Sequence, residues 1–174
     1  GNLRDHLRLR PQVRAEHALS RAEDWWQQES GPRFLWVHLM EPHIPFLPGM
    51  RRGWKLGPLR TYLSLFLRSK HSDNVNYADE FPDCAIRHLK ALHVECARSI
   101  DSKMRDLVET VGADSDVIIT GDHGEEFEHG LLTHARLYDE TIRVPFITNT
   151  VSVTESGSIR QQDIAPTFLE SHDI

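Results

Sequence analysis

The stretch that decides the fold is residues 83–120, DCAIRHLKALHVECARSIDSKMRDLVETVGADSDVIIT. Apolar side chains recur every three or four residues through most of it, which predicts a long amphipathic helix over residues 83–111. Gly112 is expected to end that helix, because glycine readily adopts the left-handed conformation of a helix C-terminus. The apolar run at residues 117–120 then predicts a buried strand.

Outward from this stretch, helical and strand-like patterns alternate along the chain. Apolar spacing and stop signals predict helices at residues 12–28, 59–70 and 163–170. The run FLWVHL at residues 34–39 is typical of a strand buried on both faces, and a run at 144–148 suits an edge strand because it contains proline. This order predicts an α/β fold with a largely parallel sheet flanked by helices.

The composition is that of one globular domain over the 174 residues, with residues 1–14 expected to form a flexible linker. The apolar fraction of 39% argues against disorder, and no apolar run approaches the roughly 18 residues that span a bilayer. Because 26 Asp and Glu outweigh 20 Lys and Arg, no nucleic-acid partner is expected. The sequence is silent on the oligomeric state.

The two cysteines, Cys84 and Cys96, are too few for a disulfide framework. On one helix they would lie about 18 Å apart, which prevents a bond between them. Both are expected to be buried apolar groups. Free thiols and the lack of a signal-peptide pattern favour a cytoplasmic protein.

Side chains that can bind a metal concentrate directly after the second apolar run. Asp122 and His123 follow the predicted strand at 117–120, and ligands of open α/β sheets collect beyond the carboxyl ends of strands. One carboxylate oxygen and one imidazole nitrogen can bind the same cation, so the pair predicts a metal site. The alternative is a turn at a helix N-terminus, with Glu125 and Glu126 stabilising the helix dipole.

A second group of polar side chains follows the FLWVHL run. The loop at residues 40–58 is rich in proline and glycine, and a loop of this length in a domain is usually functional. Glu41 and His43 can reach outward from it, whereas alternation along the strand places His38 among buried side chains. If the two strands are parallel, this group meets the Asp-His pair at one sheet edge and forms a divalent-cation hydrolase site.

Four blocks occur in the order and spacing of one known protein family. They are FLWVHLMEPHIPF at 34–46, VIITGDHGEEFEHG at 117–130, THARLYDETIRVPFI at 133–147 and RQQDIAPTFLE at 160–170. Together they resemble the sulfatase family of the alkaline phosphatase superfamily. The resemblance implies an alkaline-phosphatase-like α/β fold and hydrolysis of a sulfuric ester. It also implies one divalent cation, Ca²⁺, Mn²⁺ or Zn²⁺, with room for a second ion, and a structural role for the segment LYDETIRVP.

The resemblance assigns roles to individual residues. Asp122 and His123 match the family's metal ligands. His43 matches the histidine that contacts the transferred group or the leaving group, and His134 occupies the place of a second substrate-binding cation. Both histidines would then act in catalysis in their protonated form. Glu41, beside these histidines, would belong to a second ion site or lie just outside it.

The family's nucleophile pattern, Cys or Ser followed by x-Pro-x-Arg, does not occur in this sequence. Cys84 is followed by Ala85, Ile86 and Arg87, without the proline. We therefore expect the chain to be the C-terminal portion of a sulfatase, incomplete in its fold and inactive by itself because the nucleophile is absent.

Two alternatives stay open at this point. The first is phosphoryl chemistry in the same superfamily, as a phosphodiesterase, a phosphomonoesterase or a phosphoryl-group transferase, with a phosphate ester as substrate. The second is a noncatalytic chain that binds an anionic ligand or a partner. The nucleophile would distinguish the first alternative, because a Cys/Ser-x-Pro-x-Arg pattern favours a sulfatase and a bare Ser or Thr favours phosphoryl chemistry.

Overall fold

The computed structural model describes residues 14–44, 46–48, 55, 57–60, 83–129, 134, 136–149 and 158–173. The helices whose two ends are described are α1 Ala15–Gln28, α2 Asp83–Val111, α3 Asp139–Ile142 and α4 Ile164–Ser171. Its strands are β1 Ile118–Thr120 and β2 Phe146–Thr148, and a 3-10 turn at Gln161–Asp163 leads into α4. No helix among these residues combines the length and the apolar character needed to cross a membrane.

Most helices predicted from the sequence are confirmed. Helix α2 has the predicted bounds, and Gly112 follows it with a φ of 80°, in the left-handed region. Helix α1 ends at the predicted residue, and the positions predicted to precede Arg14 lie outside the described residues. The 3-10 turn and α4 together cover the last predicted helix. The helix predicted at 59–70 lies mostly outside the described residues.

The FLWVHL run corrects the prediction of a strand buried on both faces. In the described part of the chain, residues 34–39 form no strand. Phe34 and Trp36 are 77% and 76% exposed, whereas Val37 and Leu39 pack against the core. One side of the segment is therefore buried and the other is open. His38 lies on the open side and is exposed, so its prediction as a core histidine is wrong.

The only strand pair among the described residues is antiparallel. Strand β1 pairs with β2 in the register Ile118↔Thr148, Ile119↔Ile147 and Thr120↔Phe146. The run at 144–148 does contribute a strand, as predicted. The largely parallel sheet is not found in this part of the chain. That prediction needed FLWVHL as a strand parallel to β1, and FLWVHL forms no ladder here.

The chain divides into two compact units, and the first comprises residues 1–111 and 127–133. Helix α1 packs along α2. One buried apolar cluster joins the two helices and consists of Ala15, Leu19 and Ile100, with Val37, Leu39, Met104 and Leu107 around it. A second cluster consists of Phe46, Leu89, Leu92 and Cys96, with Ile44, Ile86 and Phe127 around it. The apolar stripe that predicted α2 is therefore the core of this unit.

Both cysteines lie on α2, in different surroundings. Cys96 is fully buried as predicted, but Cys84 is exposed, which corrects its prediction as a buried group. Burial raises the pKa of the Cys96 thiol to about 12, and the nearby carboxylates of Glu41 and Glu95 add to the rise. Cys96 is therefore a protonated, apolar core group at neutral pH.

His93 on α2 gives the first unit a predictable dependence on pH. Its ring centroid lies 5.0 Å from that of Phe46 and 5.4 Å from that of Phe127, and burial lowers its pKa below the ordinary value of 6.5. Below pH 6.5, His93 therefore binds a proton more readily in the unfolded chain than in the folded protein. The free energy of unfolding consequently falls as the pH falls.

We expect His93→Leu to abolish this part of the pH dependence. Urea midpoints of the two proteins, measured from pH 8 to about 5, should converge or cross as the pH falls, because only the parent loses stability through His93. Parallel curves for the parent and His93→Leu would show that His93 titrates in the folded state as it does in the unfolded chain.

The second unit comprises residues 112–126 and 134–174. It contains the β1–β2 pair, α3 and α4. The side-chain amide of Gln161 donates to the backbone carbonyls of Gly121 and Asp122, the latter at 3.3 Å. His172 at the end of α4 lies 2.7 Å from the carboxylate of Asp116. The segment that follows β1 is thus held in place by the C-terminal part of the same unit.

Candidate metal centre

The segment after β1 is a tight turn without a helix. The carboxylate of Asp122 accepts a hydrogen bond from the backbone N–H of His123 at 2.9 Å. Residues 121–129 contain no helical residue. The alternative in which Asp-His-Gly begins a helix, with Glu125 and Glu126 at its positive end, is therefore wrong. Both glutamates are buried instead.

Gly124 lets this turn approach α3 more closely than any other residue could. Its backbone N–H donates to the carbonyl of Thr141 at 2.7 Å. A Cβ at this position would overlap the backbone carbonyl oxygen of Glu140. Thr141 is itself buried. Helix α3 therefore positions the residues on either side of Gly124, which agrees with the structural role predicted for LYDETIRVP.

The ring of His123 is oriented as a metal ligand requires. Its Nδ1 lies 2.9 Å from the carbonyl oxygen of Gly124, and since a carbonyl oxygen only accepts, Nδ1 carries the proton. Nε2 then keeps a lone pair for a cation. It lies 3.8 Å from Oδ2 of Asp122, whose side chain is mostly exposed. A backbone carbonyl that fixes the tautomer of a ligating histidine is a common feature of metal sites.

His134 lies against the same imidazole. The two rings are stacked, with centroids 3.9 Å apart and an interplanar angle of 29°. On its other side, Nδ1 of His134 lies 3.5 Å from Oε1 of Glu125, whose side chain is only 5% exposed. His123, Glu125 and His134 each offer one ligand atom, and these three atoms lie within 4.8 Å of one another.

The surroundings of His134 disfavour its charged form. Burial lowers its pKa below the ordinary value, and the neighbouring His123 lowers it further, while Asp122 opposes the change. Without a bound ligand, the shift in pKa favours the neutral imidazole of His134. The protonated form that the sequence resemblance implies for substrate binding stays a prediction.

Glu126, the residue after Glu125, has a different partner. Its side chain is fully buried, and both carboxylate oxygens accept from the guanidinium of Arg136, with Nε donating to Oε2 at 3.1 Å. The guanidinium carbon lies 4.9 Å from the ring centroid of Tyr138. Since both oxygens of Glu126 are engaged by a cation of the protein, we assign this pair to the framework of the second unit.

The other predicted site residues, Glu41 and His43, lie in the first unit. Ala15 is the first residue of α1, and its backbone N–H donates to one oxygen of Glu41 at 2.6 Å. Glu41 thus pairs one of the N–H groups that have no partner within the helix. Nδ1 of His43 donates to the carbonyl of Ile44 at 2.7 Å, which leaves Nε2 as an acceptor. The meeting of this group with the Asp-His pair stays a prediction.

The sequence pattern did not single out Glu125 as a site residue. Its carboxylate was one of several in the run that follows His123, and a surface role on a helix was the alternative. The signal in the sequence was the run of His and Glu residues after β1, in which Glu125 lies two residues beyond His123. The partner that identifies it, His134, is nine residues further along the chain and is brought close only by the fold.

The comparisons with known proteins give one match. A family model described as Sulfatase matches residues 3–174, which is nearly the whole chain. Comparison with curated proteins and with solved structures found no significant match. The match includes all four sequence blocks and every residue of the candidate centre.

Proposed function

The chain belongs to the sulfatase family, and on this premise we propose that it supplies the cation-binding part of an enzyme that hydrolyses a sulfuric ester. The observation that carries the proposal is the Asp122–His123 pair. The tautomer of His123 is fixed by the carbonyl of Gly124, and its free Nε2 lies 3.8 Å from a carboxylate oxygen. An α/β fold of the alkaline-phosphatase type follows from the family.

The donor set fits a divalent cation. Asp122 provides an anionic oxygen that is open to solvent, and His123 provides a neutral imidazole nitrogen. A cation bound there acts as a Lewis acid on the nonbridging oxygens of the ester. The chain's own contribution is to hold the two ligands at a fixed separation, with Gly124 hydrogen-bonded to α3 and Gln161 bonded to the carbonyls of residues 121 and 122.

We propose that His43 contacts the oxygens of the ester or its leaving group. The bond from its Nδ1 to the Ile44 carbonyl fixes the ring and leaves Nε2 to accept or carry a proton. A positioned imidazole of this kind can stabilise negative charge on the leaving oxygen or donate a proton to it. Its place in the motif Glu-Pro-His-x-Pro supports this role.

The nucleophile is expected from a residue outside these 174. No Cys/Ser-x-Pro-x-Arg pattern is present, and the buried, protonated thiol of Cys96 is a poor nucleophile because it is not ionised. The hydrolysis assay therefore requires the protein expressed from its natural start codon, while cation binding can be measured on the chain described above.

We expect Asp122→Ala to remove most of the bound cation and at least about 100-fold of the turnover of an aryl sulfate, since metal Lewis acidity supplies several kcal/mol of transition-state stabilisation. Metal content by mass spectrometry and release of the phenol are the two measurements. Asp114→Ala, at an exposed carboxylate of the same unit, is the matched control and should change neither.

Unchanged metal content and turnover in Asp122→Ala would contradict the site assignment. An active protein that cleaves the aryl phosphate much faster than the aryl sulfate would place the chain in the phosphoryl branch of the superfamily. Loss of turnover in both Asp122→Ala and Asp114→Ala would point to damage to the fold, which a thermal melt of each protein detects.

A further inference from the structure

We propose that Gln161 is a positioning residue of the metal-binding turn and that it sets the affinity of Asp122 and His123 for their cation. Its side-chain amide donates to the backbone carbonyls of Gly121 and Asp122, the latter at 3.3 Å. These partners lie 40 and 39 positions earlier in the chain, so the fold brings the amide to them. The inference rests on the proposed function only in placing a cation at Asp122 and His123.

The two carbonyls belong to the two peptide groups that flank the Cα atom of Asp122. A peptide group is planar, so a hydrogen bond that orients its carbonyl also orients its N–H, which points the opposite way in the trans form. A side-chain amide has two N–H donors and can engage both carbonyls at once. Gln161 therefore holds the two planes whose relative rotation determines where the side chain of Asp122 points.

The second of these peptide groups acts directly on the carboxylate of Asp122. Its N–H is that of His123, and it donates to Oδ1 of Asp122 at 2.9 Å. With Oδ1 engaged in this bond, Oδ2 is the oxygen that faces Nε2 of His123. The bond from Gln161 to the carbonyl of Asp122 thus holds, through one planar group, the N–H that orients the carboxylate toward the imidazole.

The next peptide group is held from a different element. The N–H of Gly124 donates to the carbonyl of Thr141 on α3 at 2.7 Å, and the carbonyl of that same peptide group is the one of His123. The two ligands are consequently held by separate parts of the second unit. Gln161 holds the backbone around Asp122, and α3 holds the backbone that follows His123.

The separation of the two ligand atoms makes cation binding sensitive to this arrangement. Ligand atoms about 2.0–2.2 Å from a tetrahedral zinc ion lie roughly 3.3–3.5 Å from each other. Oδ2 of Asp122 and Nε2 of His123 are 3.8 Å apart, so the pair is already near the distance that a shared ion requires. A rotation of the peptide groups around Asp122 would move Oδ2 away from this position and weaken the binding of the ion.

Gln161 is itself held by a segment that contacts the chain on both sides of β1. It is the first residue of the 3-10 turn, in which the N–H of Asp163 donates to the carbonyl of Arg160 at 2.9 Å. The residue after α4, His172, lies 2.7 Å from the carboxylate of Asp116, just before β1. The C-terminal segment therefore has an anchor before β1 as well as the Gln161 amide after it.

The test compares Gln161→Met with Gln162→Met in the chain described above. Methionine keeps the length of the side chain and removes both donors, and Gln162 is the exposed neighbour on the same turn. We expect Gln161→Met to weaken zinc binding, measured by calorimetry, by roughly 10- to 100-fold, as the loss of an outer partner of a metal ligand does. Gln162→Met should bind zinc as the parent does.

Amide hydrogen exchange in the metal-free proteins supplies a readout that a general loss of stability would not reproduce. In Gln161→Met the N–H of His123 should exchange faster, because the peptide group that presents it to Asp122 is no longer held. The N–H of Gly124 should keep its protection, since its partner is the carbonyl of Thr141. Equally faster exchange at both N–H groups would show a merely structural role for Gln161 and would overturn the inference.

The outcomes separate this inference from the proposed function. If Asp122→Ala loses the cation while Gln161→Met binds zinc as Gln162→Met does, the inference is wrong and the proposed function stands. If Gln161→Met binds zinc more weakly, with the expected exchange pattern, but the protein from the natural start codon cleaves no sulfuric ester, the inference stands and the proposed function falls. A parent chain that binds no zinc would overturn both. Thermal melts show whether each variant is folded, and Gln161→Asn, whose amide ends one carbon short, is expected to lose zinc affinity in the same way and replaces an unfolded Gln161→Met.

Discussion

Replacing Gly124 with alanine should destabilise the second unit by about 3 kcal/mol or more, because the new Cβ would overlap the carbonyl oxygen of Glu140. The neighbour is backbone of α3, so it cannot turn away as a flexible side chain would. The 2.7 Å hydrogen bond from Gly124 to the carbonyl of Thr141 would lengthen or break, which costs roughly another 1 kcal/mol. The loss is measured as a shift of the urea midpoint of the metal-free protein.

Gly121→Ala is the matched control for this substitution. A Cβ at Gly121 would meet the side chain of Val144 at 3.3 Å, and that side chain has to yield by only a few tenths of an ångström. We therefore expect Gly121→Ala to cost less than about 1 kcal/mol. Equal effects of the two substitutions would mean that α3 does not hold the metal-binding turn as closely as the structure shows.

The second large effect is expected at Arg136. Arg136→Met would leave the fully buried carboxylate of Glu126 without its cation, and removing one partner of a buried pair typically costs about 3–5 kcal/mol. Glu126→Gln should cost less, because the side chain of Arg136 is 38% exposed, so its guanidinium can be hydrated. The double variant should be more stable than the sum of the two single effects predicts, since neither charge is then left alone.

The exposed pair Arg143–Asp139 provides the comparison. Its two side chains are 3.1 Å apart and largely in solvent, so Arg143→Met is expected to cost less than about 1 kcal/mol. Chemical denaturation of the parent and of the four variants gives the required free energies. A small effect of Arg136→Met, similar to that of Arg143→Met, would contradict the role of the Glu126–Arg136 pair as buried framework.

The helices were predictable because local pattern decides them. The apolar stripe of α2 extends over most of its 29 residues, and the glycine that ends it has the positive φ that glycine allows. The position of Asp122 and His123 directly after a strand was predictable for the same reason. Both features are set by residues close together in the sequence.

Features that depend on distant partners were predicted less well. The sequence FLWVHL is typical of a strand buried on both faces, yet Phe34 and Trp36 are exposed. Burial of both faces requires packing partners on both sides of the segment, and the sequence of the segment does not specify them. Cys84 was expected inside but lies at the exposed start of α2. Glu125 became a site residue only through His134, which the fold brings to it. Local sequence does not contain these pairings, and only the folded chain shows them.

The most direct test of the proposed metal site is the position of a bound ion. Crystals of the chain grown with zinc, measured on either side of the zinc absorption edge, would locate the metal by its anomalous signal. We predict one strong site at about 2.0–2.2 Å from Nε2 of His123, within bonding distance of a carboxylate oxygen of Asp122. Zinc bound at other residues, with no metal at the side chain of His123, would contradict the proposed metal site.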